Sequence, residues 1–327
     1  MNTFLGVEGG GSVTEFVLID ESGQLRARHR EGCAYYLETG MDELRALLAR
    51  GLRAVSEQAQ LPLSLLTYAF LGLPAYGEDQ KMLKHLDAAP QPSLSEGRYC
   101  CGNDMVCGWA GALACQDGIN FVASTGSIAY GEYRNRRGRA GGWGELFGDE
   151  GSEYWVARQG LIAFARMSDL RSPKGPLYDL LKQHLDIKHD LDLCAAIYGD
   201  GKGARSVIAS LAPVVAAAAR QGDEAAKRIF ETGAEEMAAT VGAARECLNV
   251  LPDTLLPVSY SGSMFTLDDL VREPFERALG RLAGRFQFVA PRLSPSAGAA
   301  LYAAKMHGTP LKSAAIAALQ QSFAAAA

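Results

Sequence analysis

Gly6-Val7-Glu8-Gly9-Gly10-Gly11-Ser12 lies between two apolar runs that open the chain. The runs, residues 3–7 and 14–20, are rich in β-branched and aromatic side chains, which predicts two adjacent strands. Three adjacent glycines let the backbone come close to a ligand. Their consecutive N–H groups can form a concave anion site, and Ser12 adds a hydroxyl donor. The stretch therefore fits two interpretations, a phosphate-binding turn or a plain glycine-rich hairpin.

Glu8 stands at the end of the first predicted strand, beside this turn. Because Mg²⁺ prefers oxygen ligands, a carboxylate here can hold a divalent cation next to a bound anion. Binding of nucleotide phosphates requires at least an acidic residue for the metal and a glycine turn for the phosphate groups. The alternative is an exposed acidic residue at a strand end.

Length and charge limit the classes of protein to consider. The chain has 327 residues, which is enough for two packed lobes with a large core. Its net charge of -5 provides no general attraction to nucleic acid or to an anionic membrane. No apolar run is long enough to span a bilayer, and Met1-Asn2 leads directly into a strand, so we expect neither a membrane anchor nor a targeting segment.

The seven cysteines are scattered and include no CxxC pair. An odd set without metal-ligand spacing indicates a reducing compartment and argues against a zinc ribbon. Each cysteine is expected to act as a small buried hydrophobic residue. We therefore expect a cytoplasmic protein.

The apolar pattern of the first 116 residues predicts the element order β-β-β-α-β-α-β-α. After the first two strands, the predicted elements are a strand at 24–30, a helix at 41–58, a strand at 66–73, a helix at 77–86, a strand at 97–101 and a helix at 105–115.

Residues 119–133 repeat the opening pattern. Two apolar strands, 119–123 and 128–133, flank the small-residue turn Ser124-Thr125-Gly126-Ser127. A third such turn, Ser261-Gly262-Ser263, follows a predicted strand at 255–260. Three small-residue turns at strand ends are hard to explain as turns alone. The approximate repeat suggests two related lobes that face a cleft.

Two common nucleotide-binding motifs are absent from the sequence. No G-x-x-x-x-G-K-[ST] pattern occurs, and no G-x-G-x-x-G opens a helix. The chain is therefore neither a P-loop enzyme nor an ordinary dinucleotide binder.

The remainder of the second half is predicted to be mainly helical. Asp223 is a predicted helix N-cap. The predicted elements are a helix at 150–167, a helical region at 175–249, a helix at 267–282, a strand at 286–289 and closing helices at 294–306 and 311–323.

Asp104 follows a predicted strand and precedes a predicted helix. A carboxylate at this position can act as a general base that accepts a hydroxyl proton during attack on phosphorus. Alternatively, Asn103 or Asp104 is the N-cap of the helix, and position alone favours the cap.

The loop at residues 141–152 contains one large aromatic residue, Trp143, among several glycines. Because nothing in the local sequence would pack against Trp143, its ring is expected to cover a planar or apolar group such as a sugar face, unless it folds back on the core. Asp149 can bind a substrate hydroxyl or metal-bound water, or it can cap the helix that follows, with Glu150 adding favourable charge.

Taken in order, these segments resemble the N-acetylglucosamine kinases and the related BadF/BadG/BcrA/BcrD ATPases of the sugar kinase–actin–Hsp70 superfamily. The loop around Trp143 is the most specific part of the resemblance. The matching segments, which span nearly the whole chain, are residues 6–12, Asn103-Asp104, Ser124-Thr125-Gly126-Ser127, 141–144, 148–152, Ser261-Gly262-Ser263 and Ser296-Ala297-Gly298-Ala299-Ala300.

This resemblance implies an α/β fold with two ribonuclease H-like lobes around an ATP cleft. Each lobe would contain a mixed five-stranded sheet with helices. The N-terminal lobe would cover residues 1–116 and be completed by the C-terminal helix at about 310–327. The C-terminal lobe would cover residues 117–309 and carry a helical insertion.

The resemblance also implies roles for individual residues, with ATP and Mg²⁺ as cofactors. Asp104 would be the catalytic base, and Glu8 would face the metal. The residues expected to bind ATP are Gly10, Gly11, Ser12, Thr125, Gly126, Gly262 and Ser263. Those expected to bind the sugar are Tyr35, Asp104, Ser127, Gly142, Trp143, Gly144, Glu145 and Asp149.

Three positions depart from the family pattern. Tyr35 stands where N-acetylglucosamine kinases carry Asn, and Ile128 stands where they carry a polar residue. Because polar groups in sugar pockets set selectivity strongly, these two changes leave open a site that is selective for a different sugar. Glu8 replaces the Asp of many relatives and extends the carboxylate by one methylene.

The expected function is an ATP-dependent amino-sugar kinase that acts on the 6-hydroxyl of N-acetylglucosamine. One alternative is the same kinase acting on glucosamine or another hexose. An alternative of another class is an ATP-driven activator of a partner enzyme, with an iron–sulfur cluster held by cysteines at a dimer interface. The close spacing of Cys100, Cys101, Cys107 and Cys115 keeps this third hypothesis open, although no ligand spacing supports it and the Trp143 loop argues against it. The expected partner is a small-molecule sugar, and a homodimer is left open.

Overall fold

The computed structural model describes residues 1–199 and 204–325. The chain divides into two compact units. The first unit comprises Met1–Asn120 and Ala290–Ala327, and the second comprises Phe121–Val289.

The first unit contains a mixed five-stranded sheet of order β3-β2-β1-β4-β5. Strand β1 pairs antiparallel with β2 and parallel with β4, β2 pairs antiparallel with β3, and β4 pairs parallel with β5. The strands are β1 (Thr3–Glu8), β2 (Thr14–Asp20), β3 (Leu25–Glu31), β4 (Tyr68–Leu73) and β5 (Tyr99–Asn103). The unbroken apolar runs of β1 and β2 are explained by burial, since all but one of their thirteen residues are inaccessible to solvent.

The second unit contains another five-stranded sheet, of order β10-β9-β6-β7-β8. Its strands are β6 (Gly118–Ala123), β7 (Ser127–Tyr133), β8 (Arg136–Gly141), β9 (Leu256–Ser261) and β10 (Phe286–Phe288). When β6 to β10 are matched in chain order to β1 to β5, the two sheets have the same strand order. The pairs β7–β8 and β9–β10 are antiparallel and parallel, like β2–β3 and β4–β5. The expected pair of related α/β lobes with mixed five-stranded sheets is therefore confirmed.

Thirteen α-helices occur in the described part of the chain. In chain order they are α1 (Tyr36–Thr39), α2 (Met41–Ala59), α3 (Leu83–Ala88), α4 (Met105–Leu113), α5 (Glu153–Ser168), α6 (Pro176–Leu185), α7 (Asp192–Tyr198), α8 (Arg205–Ala209), α9 (Ala212–Arg220), α10 (Glu224–Cys247), α11 (Glu273–Leu279), α12 (Pro295–Met306) and α13 (Ser313–Ala325). None of the helices among these residues has the length and apolar character needed to cross a membrane.

Helix α12 packs closely on β1 and on α4, and glycines make this approach possible. A Cβ atom on Gly6 would lie 2.1 Å from the backbone N of Ala300, and one on Gly298 would lie 2.1 Å from the backbone N of Gly111. A side chain at Gly6 would push α12 away from the sheet, and one at Gly298 would push it away from α4. Helix α12 therefore belongs to the first unit, whereas the expected boundary at residue 309 had placed it in the second.

Local sequence signals account for some of the helices and their boundaries. The apolar face of α2 is buried as its spacing predicts, and Asp223 caps α10 by accepting hydrogen bonds from the backbone N–H groups of Ala225 and Ala226, each at 3.0 Å. The helix expected at 77–86 was placed too early, since turns precede α3 and Gly77 has a φ of +90°. The helical region expected at 175–249 is divided among α6 to α10.

The helix expected at 267–282 is also interrupted. A π-helical turn, Asp268–Arg272, precedes α11, and Pro274 stands in the first turn of that helix. Because proline has no backbone N–H, it cannot continue a regular ladder from the preceding turn, but it suits a helix start.

Candidate active site

The turn between β1 and β2 is anchored to the first unit at both of its sides. The backbone N–H of Gly9 donates to the carbonyl O of Gly72 at 2.7 Å, and the N–H of Ala34 donates to the carbonyl O of Gly10 at 3.0 Å. Within the described residues, the N–H groups of Gly10, Gly11 and Ser12 make no hydrogen bond. A fixed turn with three consecutive free amides is suited to hold an anion.

Glu15 is a carboxylate of the first unit that accepts hydrogen bonds from several neighbours. Arg28 and Arg30 both donate to its Oε1 at 2.8 Å through Nε, and the hydroxyl of Ser296 donates to its Oε2. Burial acts to raise the pKa of Glu15, but these hydrogen bonds outweigh it and hold the pKa below its usual value. Glu15 is therefore a structural anion at ordinary pH.

Glu8 is different, because no described residue donates a hydrogen bond to its carboxylate. Burial raises its pKa to about 8, and the negative charges of Glu15 and Asp104 add to the effect. A carboxylate left without a cationic neighbour is well placed to meet a cation that comes with a ligand.

The described residues fit a magnesium ion that arrives with a nucleotide. They contain no group of three or more His, Cys, Asp or Glu side chains that could hold a metal ion. Mg²⁺ is usually bound by one or two carboxylates plus waters and substrate phosphates, rather than by an all-protein cage. A single unpaired carboxylate at Glu8, next to the free amides of residues 10–12, matches this ligand set.

Asp104 occupies the residue before α4, but its side chain makes no capping hydrogen bond. Asn103 does this work instead, since its Oδ1 accepts from the backbone N–H of Met105 at 3.1 Å and its Nδ2 donates to the carbonyl O of Tyr76 at 3.1 Å. Burial raises the pKa of Asp104 to about 6, against the opposing influence of nearby backbone amides. A carboxyl group with a pKa near 6 can accept a proton efficiently at neutral pH.

Two cysteines near this site, Cys101 and Cys107, lie in surroundings that disfavour the thiolate form. The seven cysteines of the chain are thiols and not disulfides. Burial is the largest cause that raises the pKa values of Cys101 and Cys107, whose thiols point at the carbonyl groups of Leu86 and Val7. Because iron–sulfur clusters are held by thiolates, these two residues do not favour the activator hypothesis.

In the second unit, the structure brings the second and third small-residue turns together. The backbone N–H of Glu153 donates to the carbonyl O of Ser124 at 2.8 Å, and its Oε1 accepts from the hydroxyl of Ser263 at 2.6 Å. Gly262 has a φ of +103°, and a Cβ there would lie 2.1 Å from the carbonyl O of Ala123. Both turns therefore meet at the first residue of α5.

Asp149 joins the loop at 141–152 to the turn at 124–127. Its Oδ1 accepts from the backbone N–H of Ser127 at 3.4 Å, and its Oδ2 forms an ion pair with Nη2 of Arg205 at 2.5 Å. Burial raises the pKa of Asp149, and Arg205 opposes this rise. Asp149 is not the helix cap, since Ser152 caps α5 by accepting from the N–H of Trp155 at 3.2 Å.

Trp143 is 69% exposed and does not fold back on the core. The guanidinium of Arg139 lies 5.8 Å from its ring centroid. Next to it, a Cβ on Gly142 would lie 2.6 Å from Cδ1 of Ile128, so Ile128 packs beneath the loop. An exposed aromatic ring of this kind is suited to stack on a sugar face.

Tyr35 lies in the first unit, before α1, and packs against the core of that unit while staying partly accessible. Two residues that contact the predicted site residues were not anticipated, Arg205 and Glu153. In the sequence, Glu153 follows Gly151-Ser152 and Arg205 follows Gly203-Ala204, and each lies at the start of a helix, where charged residues are common. The preceding glycines were the available local signal, but a charged residue at a helix start does not by itself indicate a contact with the site.

Comparison with known proteins gives consistent matches. A sequence model described as the BadF/BadG/BcrA/BcrD ATPase family matches residues 5–303. The chain is 26% identical over 309 residues to an N-acetyl-D-glucosamine kinase of Dictyostelium discoideum, covering 92% of this chain and 97% of the relative. It is 30% identical over 254 residues to an N-acetylmuramic acid/N-acetylglucosamine kinase of Clostridium acetobutylicum, covering 76% of this chain and 81% of the relative.

Among solved structures, a provisionally assigned N-acetylglucosamine kinase from Chromobacterium violaceum is similar with a TM-score of 0.73 and 25% identity. That match covers 92% of this chain and 98% of the other. A glucokinase of the ROK family from Streptomyces griseus, solved with glucose and AMPPNP, shares the fold at a TM-score of 0.53 and 19% identity, covering 93% of this chain and all of the other.

Proposed function

The chain belongs to the BadF/BadG/BcrA/BcrD ATPase family, and from this premise we propose that it is an ATP-dependent amino-sugar kinase acting on the 6-hydroxyl of N-acetylglucosamine. Two relatives named as N-acetylglucosamine kinases, matched over most of their length, support this choice. The observation that carries it is Asp104, a carboxyl group at a strand end that makes no capping bond and has a pKa of about 6.

In the proposed reaction, Asp104 accepts the proton of the sugar hydroxyl as the hydroxyl oxygen attacks the γ-phosphorus of ATP, the bond from that phosphorus to the bridging oxygen of the β-phosphate breaks, and ADP leaves. The free amides of Gly10, Gly11 and Ser12 donate to the phosphates, as do Thr125 and Gly126 of the second unit. Glu8 would hold the Mg²⁺ ion, which would supply positive charge to offset the charge of the phosphoryl group. The Thr125 hydroxyl has no hydrogen-bond partner in the described structure and is free for this role.

The second unit also supplies the proposed sugar contacts and the adenosine contacts. Trp143 covers the sugar face, with Gly142 and Gly144 leaving room for it. Asp149, Glu145 and Ser127 meet sugar hydroxyls. Tyr35, which lies in the first unit, is also proposed to contact the sugar. The residues proposed to line the adenosine pocket are Gly262 and Ser263.

A different amino sugar or hexose is the second candidate substrate, and the packing of Ile128 favours it. Its Cδ1 fills the space under Gly142, where a polar side chain would offer a hydrogen bond to the sugar. Loss of one such partner can change selectivity by orders of magnitude.

One experiment separates these substrates. The protein is assayed for ADP release with ATP–Mg²⁺ and a panel of N-acetylglucosamine, glucosamine, N-acetylmuramic acid and glucose, and the phosphorylated hydroxyl is located by NMR. A 6-phosphate of N-acetylglucosamine as the preferred product supports the proposal. Preference for another sugar would make that sugar the substrate in place of N-acetylglucosamine. Absence of transfer to any sugar would overturn the kinase assignment.

We place the kinase in the cytoplasm, where ATP is available and free thiols such as the seven of this chain stay reduced. A homodimer stays a prediction, which light scattering of the purified protein tests.

A further inference from the structure

Arg205 contacts three parts of the proposed site in the second unit, although nothing assigns it a role. It is the first residue of α8. Its Nη2 lies 2.5 Å from Oδ2 of Asp149, and its Nε lies 3.6 Å from Oε2 of Glu145. One guanidinium therefore lies against two carboxylates of the loop at 141–152.

The same guanidinium also lies against the turn at 124–127. A Cβ on Gly126 would be 2.2 Å from Nη2 of Arg205 and 2.8 Å from Oδ2 of Asp149. No side chain other than hydrogen fits at residue 126 while the pair keeps this place. The absence of a side chain at Gly126 therefore also allows the ion pair of Arg205 and Asp149 to pack against the proposed phosphate turn.

The charges explain why such a residue is needed. Burial is the largest cause that raises the pKa of Asp149, and the negative charges of Glu145 and Glu150 raise it further. Arg205 is the cationic group that opposes them. Asp149 is 2% exposed, so without Arg205 a buried carboxylate would have only the long hydrogen bond from Ser127 N–H, at 3.4 Å.

The Nε of Arg205 is itself buried and has no hydrogen-bond partner in the described structure. Its distance of 3.6 Å from Glu145 exceeds that of a hydrogen bond. A small movement of Glu145 would complete a bond to Nε. The guanidinium therefore makes a short ion pair with Asp149 and a longer contact with Glu145.

We propose that Arg205 is a positioning residue for sugar binding, which orients the carboxylates of Asp149 and Glu145 toward the sugar hydroxyls and ties them to the turn at Gly126. This inference rests on the proposed function. Arg205 itself does not touch the sugar. It acts by keeping Asp149 ionised and by orienting its carboxylate toward the sugar, so that the carboxylate can accept a hydrogen bond from the substrate.

The test compares Arg205→Gln and Arg205→Lys with the wild-type protein. A matched control is Arg220→Gln, which removes another ion pair of the same unit, Nη2 of Arg220 to Oδ1 of Asp269 at 2.7 Å, on the surface. Steady-state kinetics are measured with the preferred sugar and with ATP, and kcat/KM for the sugar is followed from pH 5 to pH 9.

For Arg205→Gln we expect KM for the sugar to rise about tenfold or more, as for loss of a charged hydrogen-bonding partner, with KM for ATP nearly unchanged. The loss of kcat/KM for the sugar at acid pH should extend to higher pH, because Asp149 loses the cation that lowers its pKa and its protonation then adds to that of Asp104. Arg205→Lys should keep the acid limb near its wild-type position but bind the sugar less well, since an ammonium lacks the guanidinium fork. Arg220→Gln should match the wild type in all three measurements.

An unchanged sugar KM and acid limb in Arg205→Gln would overturn the inference, as would equal effects in Arg220→Gln. If Arg205→Gln does not fold, as judged by circular dichroism, Arg205→Lys decides, and an unchanged sugar KM in that variant overturns the inference. A wild-type protein that phosphorylates no sugar rejects the proposed function instead, so the two failures are distinguishable.

Discussion

The hydroxyl of Ser296 donates a hydrogen bond to the carboxylate of Glu15, across a separation of 281 positions in the chain. Ser296 is the first buried residue of α12, and Glu15 lies on β2. The bond therefore joins the C-terminal segment to the N-terminal sheet within the first unit.

The first prediction concerns this bond. Ser296→Ala removes a donor to a buried, ionised carboxylate, so the free energy of unfolding should fall by about 1.5–3 kcal/mol. Urea unfolding followed by circular dichroism measures it. Ser322→Ala is the control, since that hydroxyl donates to the carbonyl O of Ala318 in its own helix, and it should change stability little. Equal effects of the two substitutions would contradict the prediction.

The second prediction compares two glycines of the opening stretch. Gly6→Ala puts a methyl group into the backbone of α12, so it should destabilise the protein by about 1–3 kcal/mol or more. Gly11→Ala meets nothing within 4 Å and should leave stability nearly unchanged while raising KM for ATP several-fold. Thermal unfolding and ATP kinetics on both variants check this. A stable Gly6→Ala protein, or normal ATP kinetics in Gly11→Ala, would show that the two glycines have been assigned the wrong roles.

The third prediction concerns the proposed base. Asp104→Asn keeps the size of the side chain but cannot accept the hydroxyl proton, so kcat should fall by about 10²-fold or more. Binding of ATP, measured by calorimetry, should stay close to that of the wild type. Normal turnover in this variant would remove Asp104 from the mechanism.

The fourth prediction follows from the pKa of Asp104, which is about 6. The base works only when it is ionised, so kcat/KM should fall as the pH drops below about 6, by up to about tenfold per pH unit. The measurement is a pH–rate profile at limiting sugar. An acid limb near pH 4 would mean either that Asp104 titrates as an ordinary exposed carboxylate or that another group is the base.

The fifth prediction uses Glu8, whose pKa is raised from 4.5 to about 8. Between these two pH values the folded state binds more protons than the unfolded state, so this group lowers stability as the pH rises through that window. Glu8→Gln should therefore lose less stability than the wild type between pH 5 and pH 8, by at least about 1.4 kcal/mol, which is the value of one pKa unit. Urea unfolding without nucleotide or Mg²⁺ gives the comparison. Parallel curves for the two proteins would contradict it.

Much of the first unit could be predicted from short sequence patterns. The apolar runs of β1 and β2 were recognisable because both faces of these strands are buried, and α2 because its leucines recur at helical spacing. Asp223 was predictable as a cap, since a cap bonds to amides two and three residues away. Each of these features depends on neighbours in the chain.

The helix capping near Asp104 and Asp149 could not be assigned in this way. Either Asn103 or Asp104 was able to cap α4, and the structure assigns the bond to Asn103. Asp149 was able to cap α5, but Ser152 does so. Adjacent polar residues compete for the same amides, and the backbone path decides which of them reaches.

The sequence by itself determined the two repeated strand-and-turn units, the strand-end positions of Glu8 and Asp104, and the family to which the chain belongs, because these depend on local composition and order. Only the tertiary structure decided that α12 returns to the first sheet, that Ser263 and Ser124 meet at Glu153, and that Arg205 holds Asp149 against Gly126. Such contacts join residues far apart in sequence. These contacts depend on close packing and on the need of buried charges for partners. Neither requirement can be recognised from a single position of the sequence.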